Sequence, residues 1–221
     1  STKLDHLALF AAQRGLEGIN FTTGIPGTVG GAIVGNAGAW GKQVEDVLTS
    51  VELISPTGVK KTAPAADLHF TYRDSILKKT GDIVVSAVLS LQKRDAKALL
   101  EEREKILAER KSKHPDLRYE PCAGSFFRNI EPTSKAGKRQ AAGWFLEEAG
   151  GKKLKVGGAI IYPKHANVIV KSEGCHSQDV YELSLQMARV VKEKFNLDLV
   201  REVLFVGKFR GMPSDMREII W

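Results

Sequence analysis

The chain has 221 residues, a formal charge of +7 and 43% hydrophobic residues, enough for one large domain or two small ones around a buried core. No apolar run reaches the roughly 18 residues of a membrane-spanning helix, the first residues carry no signal-peptide pattern, and Cys122 and Cys175 are too few for a disulfide framework. These features argue against membrane-spanning and disulfide-stapled classes and make a reducing cytoplasm the default, while the charge alone suits nucleic acid, anionic lipid or a phosphorylated small molecule.

In chain order, residues 3–14 predict a helix with Leu4, Leu7, Ala8 and Ala11 on one face and Gly15 as its stop. Next comes Gly24-Ile-Pro-Gly27-Thr-Val-Gly30-Gly31-Ala-Ile-Val-Gly35-Asn-Ala-Gly38-Ala-Trp-Gly41, seven glycines in eighteen residues. Glycine is costly in regular elements, so the stretch predicts a loop rather than helix or strand. Bare backbone of this kind can bring N–H groups against a phosphate, and Pro26, Thr28, Ala32, Asn36 and Ala37 add little bulk. The spacing fits neither the Rossmann nor the P-loop pattern. A compact turn-rich connection is the plainer reading. Val47 to Ile54 predicts a strand, Pro56-Thr57-Gly58 a turn, 65–70 one helical turn, and Ile83 to Leu91 a second strand.

At Asp95 the chain becomes charged and helical through residue 112, with Leu99 and Ile106 marking a face, and a boundary between two lobes is placed there. Residues 131–139 predict a polar loop, 140–149 a helix ending at Gly150-Gly151, and 158–162 and 167–171 short strands. Ser177 is expected to cap a long helix carrying Val180, Leu183, Met187, Val190 and Val191. A strand at 199–206 closes the lobe. Two βαβ-type layers follow, and the class is α+β.

Ser125 sits between Gly124 and two phenylalanines, placed to exchange a proton with a ligand. It lacks a nucleophile-elbow context, and a turn hydroxyl bonded to nearby backbone is the plainer account. Glu202 alternates with Val200, Leu204 and Val206, which on a strand puts a carboxylate among apolar neighbours and calls for a partner or a raised pKa. A salt bridge or a solvated strand end is equally open. Arg73 is suited to two-point contact with a carboxylate or enolate, or to an ordinary ion pair with Asp74. His165 is either a base or the organiser of a turn between two strands. No cluster has metal-ligand spacing, so no metal is expected.

Eight segments, in order, resemble the UDP-N-acetylenolpyruvoylglucosamine reductase family: Gly24-Ile-Pro-Gly-Thr-Val-Gly-Gly-Ala32, Asn36-Ala-Gly-Ala-Trp-Gly41, Phe70-Thr-Tyr-Arg-Asp-Ser75, Ala123-Gly-Ser-Phe-Phe-Arg-Asn129, Ala142-Gly-Trp144, Gly157-Gly158-Ala159, His165-Ala-Asn167 and Arg201-Glu-Val203. The resemblance implies part of a vanillyl-alcohol-oxidase-type FAD-binding domain over 1–94, followed by an α+β substrate-binding domain over 95–221 whose last strand returns to the active site. It implies FAD held by Gly24, Ile25, Pro26, Gly27, Thr28, Gly30, Gly31, Ala32, Asn36 and Gly38, with NADPH as reductant. The implied substrate is a UDP-sugar enolpyruvyl ether of peptidoglycan precursor synthesis. Ser125 matches the general acid, Arg73 and Glu202 the pair steadying the intermediate, and Tyr72, Lys113 and Asn129 substrate-binding positions. The family also carries a further flavin-binding segment before the point matching Ser1, so weak FAD binding by these 221 residues alone is expected. Another FAD-linked oxidoreductase and a flavin-less UDP-sugar-binding module are the alternatives. Neither nucleic acid nor membrane is an expected partner, since basic residues alternate with acids, as in Glu101-Glu-Arg-Glu-Lys105.

Overall fold

The computed structural model describes residues 1–132 and 138–212, which form two compact units, Ser1–Ser112 and the chain from Lys113 onward. The polar loop expected at 131–139 lies in part outside the described residues.

In the first unit, helix α1 (Leu4–Gln13) buries Leu4, Ala8, Ala11 and Ala12, three and four residues apart on one face. Short strand β1 (Leu16–Glu17) follows. The glycine stretch departs from the loop expectation, because Val29–Val34 forms helix α2. Thr28 starts it by accepting a hydrogen bond from Gly31 N through its hydroxyl, and Ala32 and Ile33 bury into the core. Packing thus overrides the poor helix propensity of Gly30 and Gly31. Strands β2 (Gly38–Ala39) and β3 (Lys42–Gln43) close a small hairpin.

The sheet of this unit is antiparallel, built from β4 (Leu48–Ile54), β5 (Lys60–Pro64) and β6 (Ile83–Leu89) in the order β5-β4-β6. Val51 faces Ala63 on one side and Ala87 on the other. The polar run of β5 hides it from a hydrophobicity reading; pairing with β4, not burial, makes it a strand. Short helix α3 (Leu77–Thr80) precedes β6, and β7 (Gln92–Lys93) pairs with β1.

Helix α4 (Ala96–Lys113) falls, up to Ser112, in the first unit, so the structural boundary lies at 112/113 rather than at 95. The reason is visible in its side chains. Leu99 is fully buried, Arg103 makes a two-point ion pair with Asp5 at 2.7 and 2.8 Å, and Arg110 Nε donates to Thr23 O at 2.7 Å.

The second unit holds α5 (Ala142–Glu148), the antiparallel strands β8 (Lys155–Val156), β9 (Ala159–Ile161) and β10 (Ile169–Lys171), and α6 (Ser177–Phe195). Its core gathers Phe126, Phe127, Leu146, Ile161, Tyr181, Leu183, Met187, Val191 and Phe205. His176, not Ser177, occupies the cap position of α6. The Asp179 carboxylate accepts from His176 N at 2.9 Å and Gly158 N at 3.1 Å, and those two backbone bonds hold it below the ordinary carboxylate range.

The strand expected at 199–206 is reduced to one bridge between Arg201 and Phe127. Val200, Leu204 and Val206 are exposed while Phe205 is buried. The chain therefore turns the opposite set of alternating residues inward. All strand pairs among the described residues are antiparallel, so the α+β class stands without βαβ units. No helix among the described residues is long and apolar enough to cross a membrane.

Candidate functional site

In the first unit the glycine stretch is anchored at its entry and its exit. At the entry, Gly24 N donates to Asp5 Oδ1 at 2.7 Å and Ile25 N to Thr22 O at 2.9 Å. Leu4 N donates to Gly27 O and Val29 N to Thr2 O, pinning the chain on either side of Gly27 and Thr28. Among the described residues, no hydrogen bond uses the N–H of Gly27, Thr28 or Gly30. Pro26 and Gly27 are exposed, Gly30 is half-buried and Gly31 exposed. Gly27 has φ +128 with open space where a Cβ would stand, a backbone angle closed to other residues. The result is a short run of unclaimed, partly solvent-facing donors, which is what an anion held by backbone requires.

At the exit, the Phe70–Ser75 motif is laced to the glycine stretch. The buried Asn36 side chain donates to Thr71 O at 3.0 Å and accepts from Glu45 N at 3.2 Å. Ser75 Oγ donates to Val34 O at 2.7 Å. Arg73 donates through Nη2 to Gly38 O at 2.6 Å and through Nη1 to Asn36 O at 3.5 Å. Asn36 and Arg73 both adopt positive φ, +41 and +58, a strained state for residues with a Cβ that the surrounding bonds must hold in place. A Cβ on Gly38 would stand 2.5 Å from Lys42 O and 3.0 Å from Arg73 Nη1, so close approach dictates this glycine. Arg73 also lies over the Tyr72 ring, 5.0 Å from its centroid, and both residues are half-buried. Ala32 is in the core. Asp74, the alternative partner proposed for Arg73, sits 3.8 Å from Lys78.

In the second unit Ser125 is exposed and bridges to Val168 in an antiparallel contact. The segment after it is clamped by Asn167. Asn167 O accepts from Phe126 N at 2.7 Å, its Oδ1 accepts from Phe127 N at 2.9 Å, and its Nδ2 donates to Phe127 O at 2.8 Å. This one buried side chain imitates a β-strand partner. Glu202 N donates to Phe126 O at 2.9 Å, so Ser125 and Glu202 sit on adjoining stretches of backbone. Glu202 is half-buried, and its alternating neighbours 200, 204 and 206 are exposed rather than packed around it. Asn129 spends its Oδ1 on Ala142 N at 3.3 Å, at the start of α5. Lys113 is exposed at the end of α4.

His165 organises its turn. Its Nδ1 accepts from Asn167 N at 3.3 Å, and its backbone bonds both Tyr162 and Val168. Burial pushes its pKa below 6.5, so the imidazole is held neutral. Two residues escaped the sequence reading. Asn167 was visible only as part of a short motif, with a polar residue before an apolar strand as its sole signal. Arg128, between Phe127 and Asn129, has a buried Nε without an acceptor among the described residues; the sequence shows it only as a member of the Ala123–Asn129 motif, with no role of its own.

A family model described as the C-terminal domain of UDP-N-acetylenolpyruvoylglucosamine reductase matches residues 115–206, and one described as an FAD binding domain matches residues 2–63. Among curated proteins, the chain is 34% identical over 202 residues to a UDP-N-acetylenolpyruvoylglucosamine reductase of Bacillus subtilis, covering 91% of this chain and 64% of that protein. The protein of the same name from Nostoc punctiforme is 37% identical over 210 residues, with coverage of 93% and 59%. Among solved structures, UDP-N-acetylenolpyruvylglucosamine reductase from Thermus caldophilus superposes with a TM-score of 0.75 at 33% identity, over 91% of this chain and 68% of the other. The chain thus spans a little under two thirds of the length of the first curated relatives it matches.

Proposed function

Because the chain belongs to the UDP-N-acetylenolpyruvoylglucosamine reductase family, we propose that it takes part in NADPH-dependent reduction of the enolpyruvyl ether of UDP-N-acetylglucosamine enolpyruvate, giving UDP-N-acetylmuramate in cytoplasmic peptidoglycan precursor synthesis. The observation that carries the reading is the division of labour: the FAD-binding match lies wholly in the first unit and the reductase-specific match wholly in the second.

The residues present suit FAD. The N–H groups of Gly27, Thr28 and Gly30, unclaimed by any acceptor among the described residues, are the donors for its pyrophosphate, and Gly24, Ile25, Pro26, Gly31 and Ala32 shape the surrounding backbone. Asn36 and Gly38 act by fixing the exit of the stretch. Bound there, FAD would supply the hydride, drawn from NADPH, that the methylene carbon of the substrate receives. Ser125 then gives its hydroxyl proton to the neighbouring carbon, converting the double bond into CH–CH3. A serine is a weak acid, so this transfer needs the strongly basic enol-like species that hydride addition creates. Arg73 offsets the charge gathering on the substrate carboxylate, and Glu202, when protonated, donates a hydrogen bond to the same species. Tyr72, Lys113 and Asn129 contact substrate, with Asn129 acting through the N-H2 edge its helix-capping bond leaves over.

The test is spectroscopic. The purified chain, supplemented with FAD, should perturb the flavin spectrum. NADPH should bleach it without oxygen, and the enolpyruvyl ether should restore the oxidised spectrum in proportion to UDP-N-acetylmuramate formed. A flavin bleached by NADPH but indifferent to the enolpyruvyl ether points to another FAD-linked oxidoreductase. A flavin spectrum unaffected by saturating chain contradicts the FAD assignment.

A further inference from the structure

Residues Thr2 to Asp5, at the start of α1, grip the glycine stretch at three points. Asp5 Oδ1 accepts from Gly24 N at 2.7 Å, Leu4 N donates to Gly27 O at 3.1 Å, and Thr2 O accepts from Val29 N at 3.0 Å. Of these three bonds the first alone uses a side chain, and that side chain is fixed in turn from α4. Arg103 donates to both Asp5 oxygens, at 2.7 and 2.8 Å, and from the same Nη1 to Thr23 Oγ1 at 3.4 Å. Further along the helix, Arg110 donates through Nε to Thr23 O at 2.7 Å. Gly24 has φ +71, and a Cβ on it would stand 2.9 Å from Arg110 Cδ and 3.1 Å from Leu107 Cδ2. Helix α4 therefore lies directly on the Gly24 backbone.

Ile25 N is committed to Thr22 O, and the Pro26 ring fixes its own φ. The direction in which Gly27, Thr28 and Gly30 present their unclaimed N–H groups therefore depends on how the Gly24 end is anchored. A carboxylate accepts strongly from backbone N–H, but it also sets a negative charge beside a stretch suited to a diphosphate. The two-point bond from Arg103, whose side chain is only 9% exposed, offsets that charge. The same partner is the leading cause that holds the Asp5 carboxyl below the ordinary carboxylate range. We propose that Asp5 is a positioning residue for FAD: through Gly24 it aligns the backbone donors of Gly27, Thr28 and Gly30, while Arg103 keeps it neutralised. The inference rests on the FAD reading above and adds to it a contribution from a helix outside the glycine stretch.

Two double variants isolate the bond. Asp5→Asn with Arg103→Met removes both charges and keeps an oxygen that can accept from Gly24 N, whereas Asp5→Ala with Arg103→Met removes the oxygen as well. Flavin-fluorescence titration with FAD, below both melting midpoints, should show the Ala form binding about tenfold or more weakly than the Asn form. A role in stability alone would move the midpoints and leave the two affinities equal. Without FAD, amide hydrogen exchange at Leu4 and Val29 should be faster in the Ala form. If the Met substitution prevents folding, Asp5→Asn and Asp5→Ala alone provide the same comparison, since each abolishes the ion pair. Equal FAD affinity in the two folded forms, or equal exchange at those amides, overturns the proposal and leaves the FAD reading standing. A wild-type chain that leaves flavin fluorescence unperturbed at saturating concentration contradicts the FAD reading and removes the inference with it.

Discussion

The glycine stretch of the first unit and the Ser125 segment of the second are both held in shape by buried asparagines, but they offer different things to a ligand. In the first unit, Asn36 ties the stretch to Thr71 and Glu45, and what remains for a ligand is backbone N–H. In the second, Asn167 engages the backbone of Phe126 and Phe127 from one side, and what is presented is a side-chain hydroxyl. A backbone site tolerates a change of side chain wherever φ is ordinary and resists it where φ or close approach demands glycine. A side-chain site has the reverse sensitivity: its reactive residue is replaceable without loss of fold, and its support is not.

The contrast is sharpest at Asn167. Asn167→Leu should leave Phe127 N–H and C=O unmatched in a buried position, at about 1–3 kcal/mol each. Denaturant unfolding should show a loss of that order confined to the second unit. An unchanged midpoint would mean that the clamp is replaceable by water. Next in size is Gly38→Ala. The added Cβ meets backbone at 2.5 Å, so the hairpin must shift and the Arg73 bond to Gly38 O must lengthen, at roughly 1–3 kcal/mol. Gly27→Ala meets no atom and carries only the strain of its backbone angle, about 1–2 kcal/mol. Its main expected effect is on FAD affinity, readable by flavin titration. If Gly27→Ala destabilises more than Gly38→Ala, the assignment of one to backbone angle and the other to crowding is reversed.

Acid should separate the units more gently. In the second unit, burial lowers the His165 pKa from 6.5. For a depressed pKa the stabilising contribution is complete above the unfolded value and fades as pH falls through the folded one. In the first unit the corresponding group is Asp5, lowered from 3.8 first by its hydrogen bond from Arg103. Its contribution persists until pH drops below the ordinary carboxylate range. Hydrogen exchange at pH 7 and pH 5.5 should therefore show a fall in protection in the second unit alone, abolished by His165→Gln. Equal losses in both units would remove His165 from the account.

Much of this was legible beforehand, and the gaps have physical causes. Helix α1, the central strand β4 and helix α6 follow from the period of their apolar residues. The glycine motif was recognised as unusual, but α2 within it was not, because Thr28 and the burial of Ala32 and Ile33 act against the intrinsic preference of glycine. Residues 199–206 are apolar on both alternating sets, Val200, Leu204 and Val206 against Val203 and Phe205. Periodicity cannot say which set turns inward. Helix α4 went to the other lobe because its charged composition concealed Arg103, whose partner Asp5 lies 98 residues away. Of the candidate site, Ser125 and Arg73 stand out in the sequence by their motifs, and their roles remain the proposal above, whereas Asn167 emerges only when its three bonds to neighbouring backbone are seen together.

The central claim is that the Ser125 hydroxyl completes reduction of the enolpyruvyl ether and has no part in reduction of the flavin. Anaerobic rapid mixing of FAD-loaded Ser125→Ala separates the two half-reactions. Bleaching by NADPH should proceed at the wild-type rate, and reoxidation by the enolpyruvyl ether should slow by about 100-fold or more. Reoxidation at the wild-type rate, with UDP-N-acetylmuramate formed, would contradict the claim.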